Sequence, residues 1–559
     1  MDAPIVYWLL FRAASSLFAY SLIVFLLHLR NRQAKSTPRP KKPVEAPNGL
    51  PVLGHAVAFS KDQAGFAMAL KKRFNGIPLR LRLMVMDIVF LTDPDHIGSL
   101  FRRSTELTNG PYRKFVSSTF GVPRDFQKFF AADNSGLSRT PLPGSNVKPE
   151  HRVDYLMHAF IVQFMTGKSL KFLASRFTEN MEERLCNLDC SHEFEGHGSL
   201  YDFVKKNMFH SSVRAMFGTH LFEVDPRFCE HFWEFEEGMP ELAKGLPRWM
   251  YSKQYRARDR CILTVRQWQK SLGARRNDEP ETAEELAKQE YDDFFGSAIV
   301  KKRHSAFSKM EPHMGPDARA SEDLALLWGA NSNATHAAFW LIYSVLRDPA
   351  TEARFLSEIR AAEIPDQAGD SFVRYDIDAL CTNPFLQSLY AETLRLYVAN
   401  IVLRSPRNTD LAVGDYSIKR GEIIATMSYP MHQDETRYNT GTPEEPRPLS
   451  DFWAERFLVP NDAPNEEQEP DQARPAEKFS LKGTEGAWIP YGGGANMCPG
   501  RYFAKQEMTL MAALLIGNFE VQLVGDSAEI DWRYFGSGVL GVGGNSKFLI
   551  RRRSVKGSA

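Results

Sequence analysis

Cysteine is scarce in this sequence, with six residues among 559. Secreted disulfide scaffolds are far denser in cysteine, so the composition favours a folded body in a reducing compartment. A charge excess is missing as well, because the formal net charge is only +1. Nothing global therefore predicts nucleic acid or an acidic polymer as a partner. With 43% hydrophobic residues, a chain of this length can bury a large core.

The N-terminus carries a long apolar run, Pro4 to Leu29, in which Arg12 is the only charged residue. At ~1.5 Å per residue, a helix of this length spans a hydrocarbon core of about 30 Å. A signal peptide would begin with basic residues, and an interfacial helix would need a strongly polar face, which this run lacks. The basic residues that follow favour a cytoplasmic side for the body. They are Arg30, Arg32, Lys35, Arg39, Lys41 and Lys42.

The sequence divides into three parts by composition. Residues 1–29 are predicted to form a transmembrane anchor, and the basic, proline-rich residues 30–54 a stiff hinge. Residues 55–559 are predicted to form one folded body, mainly α with small β-sheets. Residues 79–84 and 88–91 are predicted to form strands, and Asp93-Pro94 is predicted to start a helix. Residues 153–268 read as mostly helix.

Three further segments are predicted in the C-terminal half of the chain. A long helix is predicted from about Ser321, its capping residue, to Leu346. A second helix runs from about Gln387 to Leu396, and a glycine-rich loop from Tyr491 to Gly500 precedes a third. The charged residues 276–320 are expected to form a helix edge and an exposed loop.

The glycine-rich loop ends at Cys498, directly before a predicted helix. Glycines let a backbone turn tightly and approach a flat partner. A thiolate at a helix N-terminus has a lowered pKa, and it is an electron-donating ligand for haem iron. Two other interpretations remain open on this loop alone. It resembles a phosphate cradle in its glycines, and a lone cysteine is often a plain buried thiol.

The loop resembles the haem-binding signature of the cytochrome P-450 superfamily. Tyr491, Gly494, Cys498 and Gly500 match that signature in order and spacing. The resemblance implies a cytochrome P-450 fold with haem b as cofactor and Cys498 as the metal ligand. One position departs from it, because Asn496 stands where the family usually has an Arg or His that contacts a haem propionate.

A second resemblance lies upstream of the loop. Glu392 and Arg395 are three residues apart on one predicted helix, where they can pair. In the superfamily a further arginine completes a buried ion triad, and this position corresponds to Arg456. The family also implies that Arg404 pairs with a haem propionate, with Arg407 as the alternative. His432 and Asp434 occupy a segment that we interpret as structural.

The long helix corresponds to the family's oxygen-site helix but departs from its motif. The aligned residues run from Ala330 to Ala334, and the usual acid and threonine are replaced by Asn333 and Ala334. We take Ala330, Asn333 and Thr335 as catalytic candidates, although Thr335 lies one position late, about 100° around the helix. His336 is expected to pack rather than donate protons. This pattern resembles the branch of the sterol 7α-hydroxylases and prostacyclin synthase.

The resemblance implies a monooxygenase that inserts one oxygen atom of O2 into an apolar small molecule, such as a terpenoid, a steroid or another secondary metabolite. Electrons would come from NADPH through a separate cytochrome P-450 reductase that docks near Cys498, where Arg501 and Lys505 supply positive charge. Membrane lipid is the other expected partner, and a single-pass location in the endoplasmic reticulum membrane follows. Two alternatives stay open: a reductase-independent isomerase or dehydratase acting on a peroxide, and a non-catalytic haem-binding protein.

Overall fold

The fold is described from a computed structural model that covers residues 40–84, 86–278, 291–294, 296–365, 372–461, 477–525 and 527–553. The predicted anchor, residues 1–29, lies outside the described residues, as does the hinge up to residue 39. Among the helices of the described part, none is both long enough and apolar enough to cross a membrane. The remainder of the hinge contributes the short strand Val44–Glu45, which pairs with Leu79–Leu83.

Helices dominate the body, as the sequence predicts. The middle region 153–268 is almost entirely helical. The helices are Ala56–Lys61, Gln63–Phe74, Pro94–Arg102, Gly110–Thr119, Arg124–Ala131, Val153–Phe164, Gly167–Cys186, Leu200–Phe217, His220–Val224, Phe228–Glu237, Met239–Leu242, Ser252–Asp278, Ala298–Ser308, Pro316–Arg347, Pro349–Ile359, Ile377–Thr382, Pro384–Tyr397, Ser428–His432 and Arg501–Asn518.

The largest sheet brings strands from both ends of the body together. Its order is Val44–Glu45, Leu79–Leu83, Met86–Leu91, Ile423–Met427, Val398–Pro406 and Ser537–Val539, and Leu107–Thr108 pairs with the end of Val398–Pro406. In Leu79–Leu83, Leu79 and Leu81 are buried while Arg82 is exposed, as alternation in a half-buried strand requires. Smaller sheets are formed by Glu195–Ser199 with Phe519–Leu523 and Lys547–Arg552, and by the pairs Tyr291–Asp292 with Gly296–Ser297, Glu363–Ile364 with Arg374–Tyr375, Leu411–Val413 with Tyr416–Ile418, Leu458–Pro460 with Glu477–Phe479, and Ser527–Asp531 with Gly541–Asn545.

The long helix, hereafter the central helix, spans Pro316–Arg347 and runs through the main core. The predicted start at Ser321 is wrong. The helix begins with Pro316 in its first turn after Gly315, so Ser321 lies inside the helix with a buried side chain. Proline suits the first turn because its missing N–H has no partner there in any case.

The expectation of an exposed loop within residues 276–320 is wrong for part of that stretch. Helix Ala298–Ser308 packs into the body, and Arg303 is only 1% exposed. Its guanidinium lies 3.2 Å from the Asp323 carboxylate, which also accepts a hydrogen bond of 2.6 Å from Gln269. Arg303 is therefore part of an internal ion pair, whereas Lys309, Glu311 and Asp317 in the same stretch are exposed.

Candidate active site

The loop Tyr491–Gly500, hereafter the cysteine loop, delivers Cys498 to the start of helix Arg501–Asn518. The loop closes on itself, because the Cys498 N–H donates to the Tyr491 carbonyl at 3.1 Å. The Arg501 guanidinium donates to the Cys498 carbonyl at 2.9 Å. The Tyr491 hydroxyl forms a hydrogen bond with that of Tyr390, which lies on helix Pro384–Tyr397. These bonds hold the cysteine in one place relative to two helices.

Cys498 keeps solvent contact, although it lies among enough protein atoms that desolvation raises the pKa of its thiol. Hydrogen bonds from the Gly500 and Arg501 backbone and the charge of Arg501 act in the opposite direction. Backbone N–H groups at a helix start stabilise a sulfur anion in this way. The thiol is thus accessible and backed by donors, which is the arrangement that a metal-binding thiolate needs.

The glycines of the cysteine loop are required by packing against the end of helix Pro94–Arg102. A Cβ at Gly493 would lie 2.1 Å from the Phe101 ring, and one at Gly494 would lie 2.0 Å from the Ser104 hydroxyl oxygen. Gly494 also has a φ of +67°, a region that other residues rarely adopt. Gly500 is less constrained, since its Cβ would make ordinary contacts, 3.9 Å from the Cys498 sulfur.

Asn496, the position that departs from the family signature, has a partner within the protein. The Asn109 amide donates to the Asn496 side-chain oxygen at 3.1 Å. Asn109 lies directly before helix Gly110–Thr119, which presents Tyr112 and Phe115 as exposed aromatic side chains. The asparagine pair therefore ties the cysteine loop to this helix, and sequence reasoning missed it because the two residues are remote in the chain.

Arg404 is a buried cation that has no carboxylate partner among the described residues. It lies on strand Val398–Pro406 and is 6% exposed, and its guanidinium donates to the Leu403 carbonyl at 2.9 Å and the Gly493 carbonyl at 3.5 Å. No carboxylate of the described residues lies within 4.0 Å of it, and burial lowers its pKa to about 10. A buried charge of this kind calls for an anionic partner. A haem propionate fits that requirement, beside the same loop that carries Cys498.

Arg407, the alternative propionate ligand, is already engaged. Its guanidinium donates to the Leu107 carbonyl at 3.1 Å, and the Asp154 carboxylate attracts it and partly offsets the lowering of its pKa by burial. Asp154 itself lies 2.9 Å from Arg113. The geometry therefore favours Arg404 over Arg407.

The structure brings Glu392, Arg395 and Arg456 together in a fully enclosed cluster. Arg395 donates to both Glu392 carboxylate oxygens at 2.7 and 2.8 Å, and Arg456 approaches both at 3.0 Å. The Trp453 N–H adds a bond of 3.0 Å. The Arg395 guanidinium also donates to the carbonyl of His432, whose imidazole accepts from the Ile489 N–H at 3.2 Å.

The central helix turns one stripe of residues toward solvent although most of its length is buried. Gly329 is exposed, and Ala330 and Asn333 are partly exposed, at the spacing of one helix face. The Asn333 side-chain oxygen accepts the Val539 N–H at 2.8 Å. Because that bond occupies the oxygen, the amide NH2 group remains as a donor on this face.

Thr335 does not share that face. It is 1% exposed, and among the described residues its hydroxyl has no hydrogen-bond partner. His336 is 0% exposed, and burial lowers the pKa of its imidazole to about 3. The structure therefore joins Ala330 and Asn333 and separates Thr335 from them.

Lys505 does not supply the surface charge that was expected of it. Its ammonium points inward and donates to the Cys381 carbonyl at 2.8 Å and to the Gln387 side chain at 3.3 Å. Burial lowers its pKa. Helical position alone did not reveal this, because lysine carries a long apolar stem that can pack along a neighbouring helix.

Comparisons with known proteins agree with this site. The family model for cytochrome P-450 matches residues 44–533. The cytochrome P-450 monooxygenase efuG of Hormonema carpetanum is 30% identical over 93% of this chain and 92% of its own. The cytochrome P-450 monooxygenase fsoE of Humicola fuscoatra is 29% identical over 92% and 88%. The cholesterol 7-alpha-monooxygenase of Cricetulus griseus is 25% identical over 61% and 63%.

The chain therefore belongs to the cytochrome P-450 family, with its mainly helical fold and small sheets. It is an enzyme of the monooxygenase kind for which its relatives are named. The resemblance to the 7α-hydroxylase branch is confirmed by the relatives found. Membership implies a haem-thiolate cofactor, a redox partner and an apolar substrate.

Proposed function

We propose that the protein is a haem b monooxygenase that inserts one oxygen atom of O2 into a terpenoid, a steroid or another apolar secondary metabolite. One observation carries the proposal: the loop that holds the accessible thiol of Cys498 also contacts, through the Gly493 carbonyl, the buried guanidinium of Arg404, which has no carboxylate partner among the described residues. Sulfur ligation and a buried cation for a propionate are the two demands of a haem-thiolate site. The fungal relatives named as monooxygenases support the choice.

In this proposal Cys498 binds the haem iron, and bound haem supplies O–O bond cleavage assisted by the electron-donating thiolate. Arg404 binds a propionate. Tyr491 and Gly494 fix the path of the cysteine loop, which Gly500 ends, and the triad of Glu392, Arg395 and Arg456 joins helix Pro384–Tyr397 to the segment around Arg456.

On the opposite side Asn333 acts as a hydrogen-bond donor. Its amide oxygen accepts the Val539 N–H, so its NH2 group is the part of the side chain left to donate, on the partly exposed helix face that it shares with Ala330. An amide does not titrate near neutral pH. Asn333 therefore orients water or a polar substrate group without exchanging a proton itself, in contrast to the acid of the usual family motif.

Electrons are proposed to come from NADPH through a separate cytochrome P-450 reductase that docks on the side of Cys498. Arg501 is the charge available there, since Lys505 is directed inward. Opposite charge on the partner would steer the encounter.

Residues 1–29 are proposed as a single-pass anchor in the endoplasmic reticulum membrane, residues 30–54 as the hinge, and residues 55–559 as the cytosolic catalytic domain. The apolar run and the basic cluster after it support this arrangement. Fractionation tests it: the full chain should sediment with membranes, and recovery of the full chain in the soluble fraction would contradict the anchor.

The reaction is tested by incubating the haem-loaded full chain with reductase, NADPH and labelled dioxygen. The substrates are a panel of terpenoids and steroids, and products are read by mass spectrometry. Product that carries one labelled oxygen atom and depends on NADPH is the expected result. Omitting the reductase is the matched control.

A peroxide isomerase or dehydratase is the second candidate, because Asn333 and Ala334 replace the acid and threonine of the usual motif. This candidate predicts the opposite dependence on NADPH, reductase and dioxygen. Product would form from an organic peroxide without NADPH or reductase, and no labelled oxygen would enter it. That result would replace the monooxygenase proposal.

A further inference from the structure

A buried carboxyl group lies beside the oxygen-site stretch of the central helix, on a different helix. Glu236, in helix Phe228–Glu237, is 0% exposed. One of its carboxylate oxygens accepts the Ser332 hydroxyl at 2.8 Å, and the other accepts the Tyr534 hydroxyl at 2.8 Å. One side chain thus joins three segments: its own helix, the central helix, and the turn Trp532–Tyr534.

This carboxyl group is held by hydroxyls rather than by a cation. Lys205, the cation that influences it, is paired with Asp202 at 2.7 Å, and Asp531 acts against it. Among the described residues, no lysine or arginine nitrogen lies within 4.0 Å of Glu236. Burial raises its pKa to about 7, and the two hydroxyls oppose that rise. The His336 imidazole lies 3.8 Å from it.

The two hydroxyl partners of Glu236 belong to, or directly precede, the two segments that position Asn333. Ser332 is the preceding residue on the central helix. Tyr534 lies just before strand Ser537–Val539, whose Val539 N–H donates to the Asn333 oxygen at 2.8 Å. The fit is close at this point, because a Cβ on Gly538 would lie 2.2 Å from that oxygen. A small movement of strand against helix would therefore break the Asn333 bond or force a clash.

We propose that Glu236 is a positioning residue for the oxygen site. By binding Ser332 and Tyr534 at once, it holds strand Ser537–Val539 against the central helix and thereby fixes the direction of the Asn333 amide. The inference rests on the proposed function, in which Asn333 faces the bound ligand. The carboxyl group that is missing from the oxygen-site motif of the central helix thus has a counterpart on another helix, which positions Asn333 and does not contact the reacting atoms.

The test uses Glu236→Gln and Tyr534→Phe in the haem-loaded full chain. Glutamine has one amide oxygen, so one of the two hydroxyls loses its acceptor, and phenylalanine removes one donor at nearly constant volume. Asn333→Ala serves as the reference for a lost donor. Glu322→Gln is the matched control. Like Glu236, Glu322 is buried and has a pKa that burial raises to about 7, but it lies on the central helix about three turns away from Asn333.

The readout is the infrared C–O stretch of the reduced carbon monoxide complex, since carbon monoxide on the distal side responds to nearby hydrogen-bond donors. Asn333→Ala should shift the band. Glu236→Gln and Tyr534→Phe should shift it in the same direction by a smaller amount, and Glu322→Gln should leave it at the wild-type position. Tyr534→Phe keeps the test decisive if Glu236→Gln does not fold.

Two results would overturn the inference in different ways. If Asn333→Ala shifts the band while Glu236→Gln and Tyr534→Phe do not, Glu236 has no positioning role and the proposed function stands. If Asn333→Ala itself leaves the band unchanged, Asn333 does not face the bound ligand, and that part of the proposed function fails together with the inference.

Discussion

The side of the molecule that carries Cys498 and the side that carries Asn333 treat their buried polar groups differently. On the first side, Glu392 binds two guanidinium groups and a backbone N–H. On the second, the buried Glu236 carboxyl group accepts hydrogen bonds of 2.8 Å from two neutral hydroxyls, those of Ser332 and Tyr534, and no lysine or arginine nitrogen of the described residues lies within 4.0 Å of it.

The difference indicates where the protein is rigid and where it can adjust. A saturated network in a low dielectric tolerates little movement, because each displaced charge loses several partners at once. The Glu236 carboxyl group has two neutral donors and no opposite charge to lose, and burial raises its pKa to about 7, so its charge can change near neutral pH. The structure thus fixes the Cys498 side by ion pairs and holds the Asn333 side by a carboxyl group that can titrate.

The largest effect should come from Cys498→Ala. Removing the sulfur removes the proposed iron ligand, so haem retention and the long-wavelength Soret band of the reduced carbon monoxide complex should both be lost. Absorption spectra of the purified variant, beside those of Cys381→Ala, check this. An unchanged band in Cys498→Ala would mean that another residue holds the iron.

Breaking the ion triad should be the next most damaging change. Glu392→Gln leaves Arg395 and Arg456 as buried charges without a counterion, which should lower the free energy of unfolding by roughly 3–5 kcal/mol. Denaturant titration measures it. The control is Asp378→Asn, which removes an exposed pair with Lys171 and should cost about 1 kcal/mol or less. Equal losses in the two variants would refute the buried-triad interpretation.

Sequence reasoning succeeded where spacing along one element decides geometry. Glu392 and Arg395 lie three residues apart on a helix, and the structure pairs them. Cys498 was expected at the start of a helix, and helix Arg501–Asn518 follows it. The strand pair after residue 79 and the helix capped by Asp93 were also predicted correctly. Local rules of periodicity and capping suffice for such features.

Sequence reasoning failed where a partner comes from a remote segment. Asn496 binds Asn109, and Glu236 binds Tyr534. No local sequence pattern predicts either pair. The start of the central helix was placed too late because Ser321 was taken as its capping residue, whereas Ser321 is buried inside the helix and Asp323 pairs with Arg303 in the interior. Burial of a charge depends on tertiary packing, which spacing along the chain does not encode.

The free energy of unfolding should depend on pH through Glu236. Burial raises the pKa of Glu236 to about 7 in the folded protein against an ordinary 4.5, so the protonated carboxyl group favours folding. The stability advantage of the wild type over Glu236→Gln should be full below pH 4.5 and lost as the pH rises through about 7. The change should be about 3 kcal/mol.

Denaturant titrations at several pH values measure that difference, and Glu435→Gln, at an exposed position, controls for the loss of one charge. A difference between wild type and Glu236→Gln that stays constant across this range would mean that the carboxyl group keeps its ordinary affinity for protons.

The smallest effect is expected from Thr335→Val, which separates Thr335 from Asn333 among the three catalytic candidates on the central helix. The Thr335 hydroxyl is buried and has no hydrogen-bond partner in the part of the chain that the structure describes, so replacing it with a methyl group removes an unsatisfied polar atom at nearly constant volume. The free energy of unfolding should stay the same or rise by up to about 1 kcal/mol. The C–O stretch should remain at the wild-type frequency, whereas Asn333→Ala shifts it. A shift in Thr335→Val equal to that of Asn333→Ala would place Thr335 on the ligand-facing side, because a residue on the far face of the helix has no means of contacting the bound ligand.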